Sequence, residues 1–463
     1  MIENWDLNKV FRPLLAKGAS YADIFVEDTE VKSLILEDNR IEKAVGGHDT
    51  GVGLRAIKDL RTRYAYTNEL KEASTIALSK EIAGMLGGRS GFSKRRWAFP
   101  SLSHRLETVQ NPKAISVKDE ADLLYLANEV ARGVDPCVRQ VRVVYRATNQ
   151  RITVATSDGA ARREERVSTL FMVHVVAGKG DLIQTAREQT AEAMGFELLS
   201  RERVEGLAVK ASERAVRLLD ARPAPSGPMT VVLSSKAGGT MVHEAVGHGL
   251  EADLAQEGLS VYSGKIGEEV AAEEISIIDD ATIDEKRGSF CYDDEGTPAQ
   301  RTVLVENGLL KGYLYDKLTA MKDGALSTGN GRRESYRFSP IPRMTNIFIA
   351  PGKAGPEQII SSVNKGLLVV KMGGGQVDTV NGNFVFEVSE GYLLKRGRIG
   401  DMVRGATLIG NGPQIIKEID MVGDDLGFDV GTCGKDGQGV PVSDAQPTVR
   451  IPLIVVGGTE RQE

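Results

Sequence analysis

Residues 240–253 read T-M-V-H-E-A-V-G-H-G-L-E-A-D, and this stretch holds two of the chain's five histidines, flanking a glutamate and a glycine. Two imidazoles and a carboxylate this close together are the residue types of a metal-dependent hydrolase. In the zinc-peptidase pattern H-E-x-x-H the histidines are four apart, so both fall on one helix face with the glutamate as base. Here His243 and His248 are five apart. On a regular α-helix that spacing turns the rings by about 140°, to nearly opposite sides. A π-type widening, with bonds from i to i+5, returns them to within about 50°. Gly247 is the position where a helix most easily distorts. Glu244 could then lie beside a metal-bound water and take its proton without being a ligand. The same residues could instead form a structural helix with surface imidazoles, or a metal-free acid/base pair.

A catalytic zinc needs a third protein ligand and an open position. The other histidines, His48, His104 and His174, lie in the first half of the chain, and His174 reads as a hydrogen-bonded strand residue inside the apolar run L-F-M-V-H-V-V-A-G. Cys433, in D-V-G-T-C-G-K-D-G-Q-G, is flanked by glycines that allow another element to approach closely. Glu251 and Asp253, three and five residues beyond His248, are comparable candidates, and either could also orient an imidazole through its second nitrogen.

Such a site must be positioned by a sizeable protein. The chain has 463 residues, 41% hydrophobic and 26% charged, which predicts two or three domains of ordinary globular composition. A net charge of -6 argues against nucleic-acid binding, which relies on clustered Lys and Arg. The basic knot Lys94-Arg95-Arg96 reads as a solvated loop. Cys137, Cys291 and Cys433 are too widely spaced for a disulfide framework or zinc ribbon. The first residues lack an apolar leader segment and no run of 18 apolar residues occurs, so a cytoplasmic location with no membrane association is expected.

Period-two alternation over residues 20–67 predicts five short strands in an antiparallel meander. Helical spacing follows over 69–86 and 116–133, with Asn68 and Ser116 as N-caps. Strands are expected over 138–190 with a turn at Asp158-Gly159, then a helix over about 191–220. Three prolines in residues 221–228 mark the boundary between an N-terminal α+β domain, 1–220, and a C-terminal β-rich domain, 226–463, that carries the metal-binding helix. The fold class is therefore α+β, with an N-terminal antiparallel sheet and helices. Asn307-Gly308 and Asn381-Gly382 predict hairpins. The T-G-N-G-R-R and G-G-G-Q segments lack the lysine and setting of a nucleotide loop and read as turns, although K-M-G-G-G-Q-V-D could supply a strand edge.

With those residues in view, the C-terminal half resembles the TldD/PmbA family, in its metal-motif-containing TldD branch. The resemblance rests on M-V-H-E-A-V-G-H-G-L-E-A-D, Y-D-D-E-G-T-P-A-Q-R-T-V-L-V-E-N-G-L-L-K-G-Y-L-Y-D, S-T-G-N-G-R-R-E-S-Y, I-P-R-M-T-N-I-F-I-A-P-G, G-G-G-Q-V-D-T-V-N-G-N-F-V-F, R-G-A-T-L-I-G-N-G-P and G-T-C-G-K-D-G-Q-G-V-P-V-S-D-A-Q-P-T-V-R-I, spanning roughly 241–451. It implies H-E-x-x-x-H as the metal motif, with His243, His248 and Cys433 as ligands of one zinc ion per active subunit and Glu244 as the catalytic base. It also implies a homodimer, or a heterodimer with a metal-free paralogue, whose cavity admits unfolded or extended peptides. The expected function is zinc-dependent peptide hydrolysis with metal-bound water as nucleophile. The alternatives are a non-catalytic regulatory protein with structural zinc, and a small-molecule amidase. An older family label invoking DNA gyrase has no direct support in this acidic sequence.

Overall fold

The computed structural model of the chain describes residues 1–378 and 380–459. A first helix, α1 (Leu7–Leu15), precedes three long strands, β1 (Tyr21–Glu37), β2 (Arg40–Lys58) and β3 (Arg61–Thr67), where five short runs were expected. The turns fall at Asp38-Asn39 and Asp59-Leu60, all four with positive φ. The glycines inside β2 do not end it. Gly51 and Gly53 are instead points of close approach, because an added Cβ would lie 2.2 Å from the Tyr336 ring and 1.9 Å from the Tyr64 hydroxyl.

The next helix, α2 (Glu72–Leu86), starts later than the expected Asn68 cap, and its N-cap Lys71 makes no side-chain capping bond. In α3 (Val117–Gly133) Ser116 caps as expected, accepting the Asp119 N–H at 3.1 Å. Strands β4 (Val138–Thr156), β5 (Ala161–Lys179) and β6 (Leu182–Glu192) extend the sheet to the order β3-β2-β1-β4-β5-β6, with Ser103–His104 added on β5. The last helix of this half, α4 (Arg201–Asp220), is shorter than the expected 191–220 because residues through Glu192 stay paired to β5. Period two directs Val141, Val143, Tyr145 and Ala147 into one core with Ala127 and Ala131 of α3 and Ala208 and Ala211 of α4. Arg146, Thr148 and Gln150 therefore occupy the opposite face.

Beyond the proline-rich stretch, Arg222–Pro223 sits at a sheet edge, where a missing N–H is tolerated. Strand β7 (Gly227–Leu233) leads into the histidine segment. Further along are β8 (Ile277–Asp280), β9 (Arg301–Glu306), β10 (Leu309–Leu310), α5 (Lys317–Asp323) and β11 (Asn346–Ile349), the Asn307-Gly308 turn joining β9 to β10 with both residues at positive φ. The chain ends with β12 (Lys365–Val377), β13 (Asn383–Lys395), β14 (Arg398–Arg404), β15 (Ala406–Asn411), α6 (Gly412–Glu418), β16 (Gly427–Lys435), β17 (Gln438–Gln446) and β18 (Val449–Gly457). The Gly373–Gln376 segment, read above as a turn, lies inside β12.

Strands β12, β7, β18, β15 and β13 pair in that order, and β13 pairs back to β12, closing a small barrel. A second sheet runs β10-β9-β8-β11-β17-β16, with β11 and β17 parallel. Met241, Val242, Val246 and Leu250 of the histidine segment are buried among residues of both, including Val231 and Phe386 of the barrel and Ile347 and Val440 of the sheet. At roughly 1.5–3 kcal/mol for each large apolar side chain, this burial anchors the segment. The architecture is α+β with a β-rich C-terminal part. Among the described residues no helix is long and apolar enough to cross a membrane.

Buried charges join the two halves. Arg55 of β2, fully buried, pairs with Asp23 of β1 and with Glu295, and Arg166 of β5 pairs with Asp294 at 2.7 Å. Asp316 caps α5, its Oδ1 accepting the Thr319 N–H at 2.7 Å. Burial and the neighbouring Glu295 push its carboxyl up to about 7, against the pull of Arg55. A carboxyl raised on folding contributes stability that is fully present below its unfolded pKa and lost as pH rises through the folded value. Asp316→Asn keeps a capping oxygen without the charge. Its melting temperature relative to wild type should rise between pH 4 and pH 8, and a difference flat or falling over that range would contradict the assignment.

Candidate metal centre

Leu233 ends β7, Ser234 caps a short turn by accepting the Lys236 N–H, and Gly238, at φ +71°, reverses the chain. At Gly239 an added Cβ would lie 2.2 Å from the Ala445 nitrogen, so the helix starts hard against β17. It runs as an α-turn over Thr240–Val242, a π-turn over His243–Gly247 and a tight 3-10 turn over His248–Leu250. The His248 N–H donates to the His243 carbonyl, the i to i+5 bond that a five-residue histidine spacing requires. The two rings face one another edge-on, with centroids 5.2 Å apart and planes at 85°.

The third side chain arrives from β16, where Cys433 is paired opposite Val440. Its Sγ lies 3.5 Å from His248 Nε2. One potential ligand atom each from His243, His248 and Cys433 lie within 4.8 Å of one another, and all three residues are buried. Glu251 and Asp253, which competed with the cysteine on chemistry alone, fall behind the imidazole. Glu251 Oε2 is 3.0 Å from His248 Nδ1 and 3.0 Å from Lys435 Nζ, while Asp253 pairs with Lys435 at 2.7 Å. On the other side, Asp444 Oδ2 is 3.7 Å from His243 Nδ1, a buried nitrogen without a hydrogen-bond partner among the described residues. Glu244, half-buried beside His243, makes no hydrogen bond or ion pair among the described residues, and its charge helps raise the Asp444 carboxyl.

The electrostatics favour a cation. Burial opposes ionisation of the Cys433 thiol, but His243 and His248 outweigh it and bring it down to about 5. Burial likewise opposes charge on His248, yet Glu251 and Cys433 hold its pKa well above the usual imidazole value. The Glu251 carboxyl, which burial would raise, is drawn down to about 2 by His248, Lys435 and Arg343. Two imidazoles and a thiolate, converging in a buried space, match the soft donor set of a zinc site.

Sequence reasoning did not find Asp444, Lys435 or Arg343. Lys435 lies two residues beyond Cys433 on the same strand, a period-two signal that was available. Asp444 and Arg343 reach the site only through long-range pairing, which no local pattern encodes.

Family models match residues 22–83, 110–219 and 226–458, described as domain 1, the central domain and the C-terminal domain of PmbA/TldA metallopeptidases. A metalloprotease TldD homolog of Buchnera aphidicola is 36% identical, covering 99% of this chain and 97% of that protein. A Thermotoga maritima crystal structure, of a protein named for a proposed modulation of DNA gyrase, shares the fold with TM-score 0.79 at 22% identity, covering 97% of this chain and 99% of that one. TldE from Thermococcus kodakarensis shares it with TM-score 0.73 at 20% identity, covering 95% and 97%.

Glu251→Gln removes the charge that faces His248, Lys435 and Arg343 at once. Zinc affinity should fall about 10–100-fold, the usual range for an outer partner of a ligating histidine. Competition with a chelator measures it on protein shown by circular dichroism to be folded. Unchanged affinity would separate Glu251 from the site.

Proposed function

The chain belongs to the TldD/PmbA metallopeptidase family and is a hydrolase, and from that premise we propose that it is a zinc-dependent peptidase acting on small, unfolded or extended polypeptides. The observation that carries this reading is the convergence of His243 and His248, on one π-turn, with Cys433 from a distant strand. These three residues would hold the ion. When bound, zinc supplies Lewis acidity toward the scissile carbonyl and acidifies water. Glu251 fixes the tautomer and orientation of His248 through Nδ1, and Asp444 faces the same atom of His243. Glu244, with no competing partner among the described residues, takes a proton from the attacking water and delivers it to the leaving amine.

An extended substrate needs an edge. The Lys371–Val377 part of β12 pairs with β13 on one side, while β7 pairs only with Gly366–Val369, so its other side has no strand partner among the described residues. Backbone pairing there would grip an unfolded peptide whatever its sequence. The rival reading, a structural zinc in a regulatory protein, calls for four protein ligands, whereas the cluster among the described residues has three. That count supports an open site.

The reading includes a dimer, either of two such chains or with a metal-free paralogue. The fold shared with TldE supports a partner of like architecture. Val385, Ile409 and Val455 form an exposed apolar row across β13, β15 and β18, in direct register. Ile409→Glu should shift the mass measured by light scattering from dimer to monomer, and an unaltered dimer would remove this face from the interface.

The site itself is tested by two substitutions. Glu244→Gln should keep one zinc per subunit by mass spectrometry while cleavage of an unfolded peptide drops about 10²–10⁴-fold. Cys433→Ala should lose most of both. Normal turnover in the first, or full metal content in the second, would overturn the corresponding role.

A further inference from the structure

The strand that carries Cys433 has a second face. Between it and the N-terminal sheet lies a cavity of about 640 Å³, with six arginines and four carboxylates in its walls. Its floor is the sheet face left bare by α3 and α4, contributing Arg146, Thr148 and Gln150 from β4. Its roof includes Thr432 and Pro441, paired across the β16–β17 hairpin, with Cys433 pointing the other way.

The arginines divide into two groups. Arg166 is answered by Glu164 and Asp294, Arg333 by Asp23, and Arg337 by Asp49. The other three, Arg146, Arg287 and Arg332, have no carboxylate partner among the described residues. Arg287 is spent on the Gly431 carbonyl at 2.6 Å and, more weakly, on the Thr432 hydroxyl, and buried Arg332 on the carbonyls of Met344 and Pro441. Burial and the Arg146 charge bring the Arg287 guanidinium down to about 10, the direction expected when like charges face each other unanswered. Of the wall carboxylates, Glu27 is already engaged by Gln150, Thr29 and the Tyr336 N–H.

We propose that this interdomain cavity is a binding site for a carboxylate-bearing extended peptide, whose anionic group lies between Arg146 and Arg287. Guanidiniums without a carboxylate partner favour a planar oxyanion that accepts paired N–H bonds. The volume exceeds what a lone small ion needs and suits a segment of a few residues. An acidic side chain and a free C-terminus both supply such a carboxylate, and the test below separates the two sources. Occupancy requires neither zinc nor turnover, so the proposal stands apart from the peptidase assignment.

The test uses the full-length, zinc-loaded chain with Glu244→Gln to prevent cleavage, and measures fluorescence anisotropy of labelled penta-glutamate. Penta-glutamine serves as the neutral control, and each peptide is used with a free and an amidated C-terminus. Penta-glutamate should bind at least tenfold more tightly than amidated penta-glutamine, and less so as salt is raised. Arg146→Glu, at an exposed position that tolerates the change, should abolish that preference with zinc content unaltered, and Arg287→Gln should weaken it. If amidation alone removes binding, the C-terminus is the source, and if side-chain neutralisation does, acidic residues are. Equal binding of charged and neutral peptides, or full binding by Arg146→Glu, overturns the proposal.

Discussion

One extra residue in a helical turn governs this site. With the two histidines five positions apart, a regular helix would splay the rings, and only the i to i+5 bond between His243 and His248 keeps them on a common side. A π-turn is rare and poorly bonded, so it persists where packing dictates it. Here the surroundings leave it no room to relax. A Cβ at Gly247 would lie 2.1 Å from Met344 Sδ, and one at Gly412 would lie 2.5 Å from the Cβ of Ala245 within the turn. The barrel, through α6, and the residues preceding β11 thus close on the segment from two sides. The glycines act by allowing contact, since Gly247 itself has an ordinary helical backbone.

The same packing makes the site's charges expensive unless each is answered. Glu251, fully buried, would be intolerable alone, and it faces His248, Lys435 and Arg343 together. Cys433 keeps a low pKa only because two imidazoles flank it. The cluster is therefore a closed electrostatic unit assembled from the histidine helix, the turn after it, the residues before β11 and both strands of one hairpin. Removing any member leaves a charge without its partner in a dry setting, so the residues behind His243, His248 and Cys433 matter to the cluster nearly as much as those three do.

How much of this was legible in the sequence depends on the range of the interaction. The His243–His248 spacing, with Gly247 between, suited metal binding only if the turn widened, and that condition was legible because it is local to six residues. Ser116, the Asn307-Gly308 turn and the alternation of β4 and β5 were readable for the same reason. The meander was over-divided, since glycines in β2 that look like breaks are contacts with Tyr336 and Tyr64, nearly three hundred residues and about a dozen residues away. Gly373–Gly375 misled likewise, because a glycine-rich run reads as a turn until its partner β13 is known. Convergence of Cys433 with the histidines, and the approach of Asp444 and Arg343, depend on β11 pairing in parallel with β17, a crossover that no local pattern announces.

The N-terminal sheet supplies none of the converging ligand atoms, yet the C-terminal fold would be incomplete without it. Arg55 reaches across to Glu295, Glu27 accepts the Tyr336 N–H, and the Tyr64 hydroxyl donates to the Tyr336 carbonyl at 2.6 Å, so the loop after Arg332 is held by strands more than 260 residues earlier. That loop also places Glu334 and Arg333 beside the β16–β17 hairpin, where the Glu334 N–H donates to the Gln438 side chain. The hairpin therefore has two masters. Its inner face fixes Cys433 against the histidines, and its outer face is set by residues that the N-terminal sheet positions. Because alternation along one strand places Thr432 and Cys433 on opposite sides, a shift imposed on the outer face moves the thiol by the same backbone. A hairpin strand shared in this way holds the thiol more precisely than a loop would.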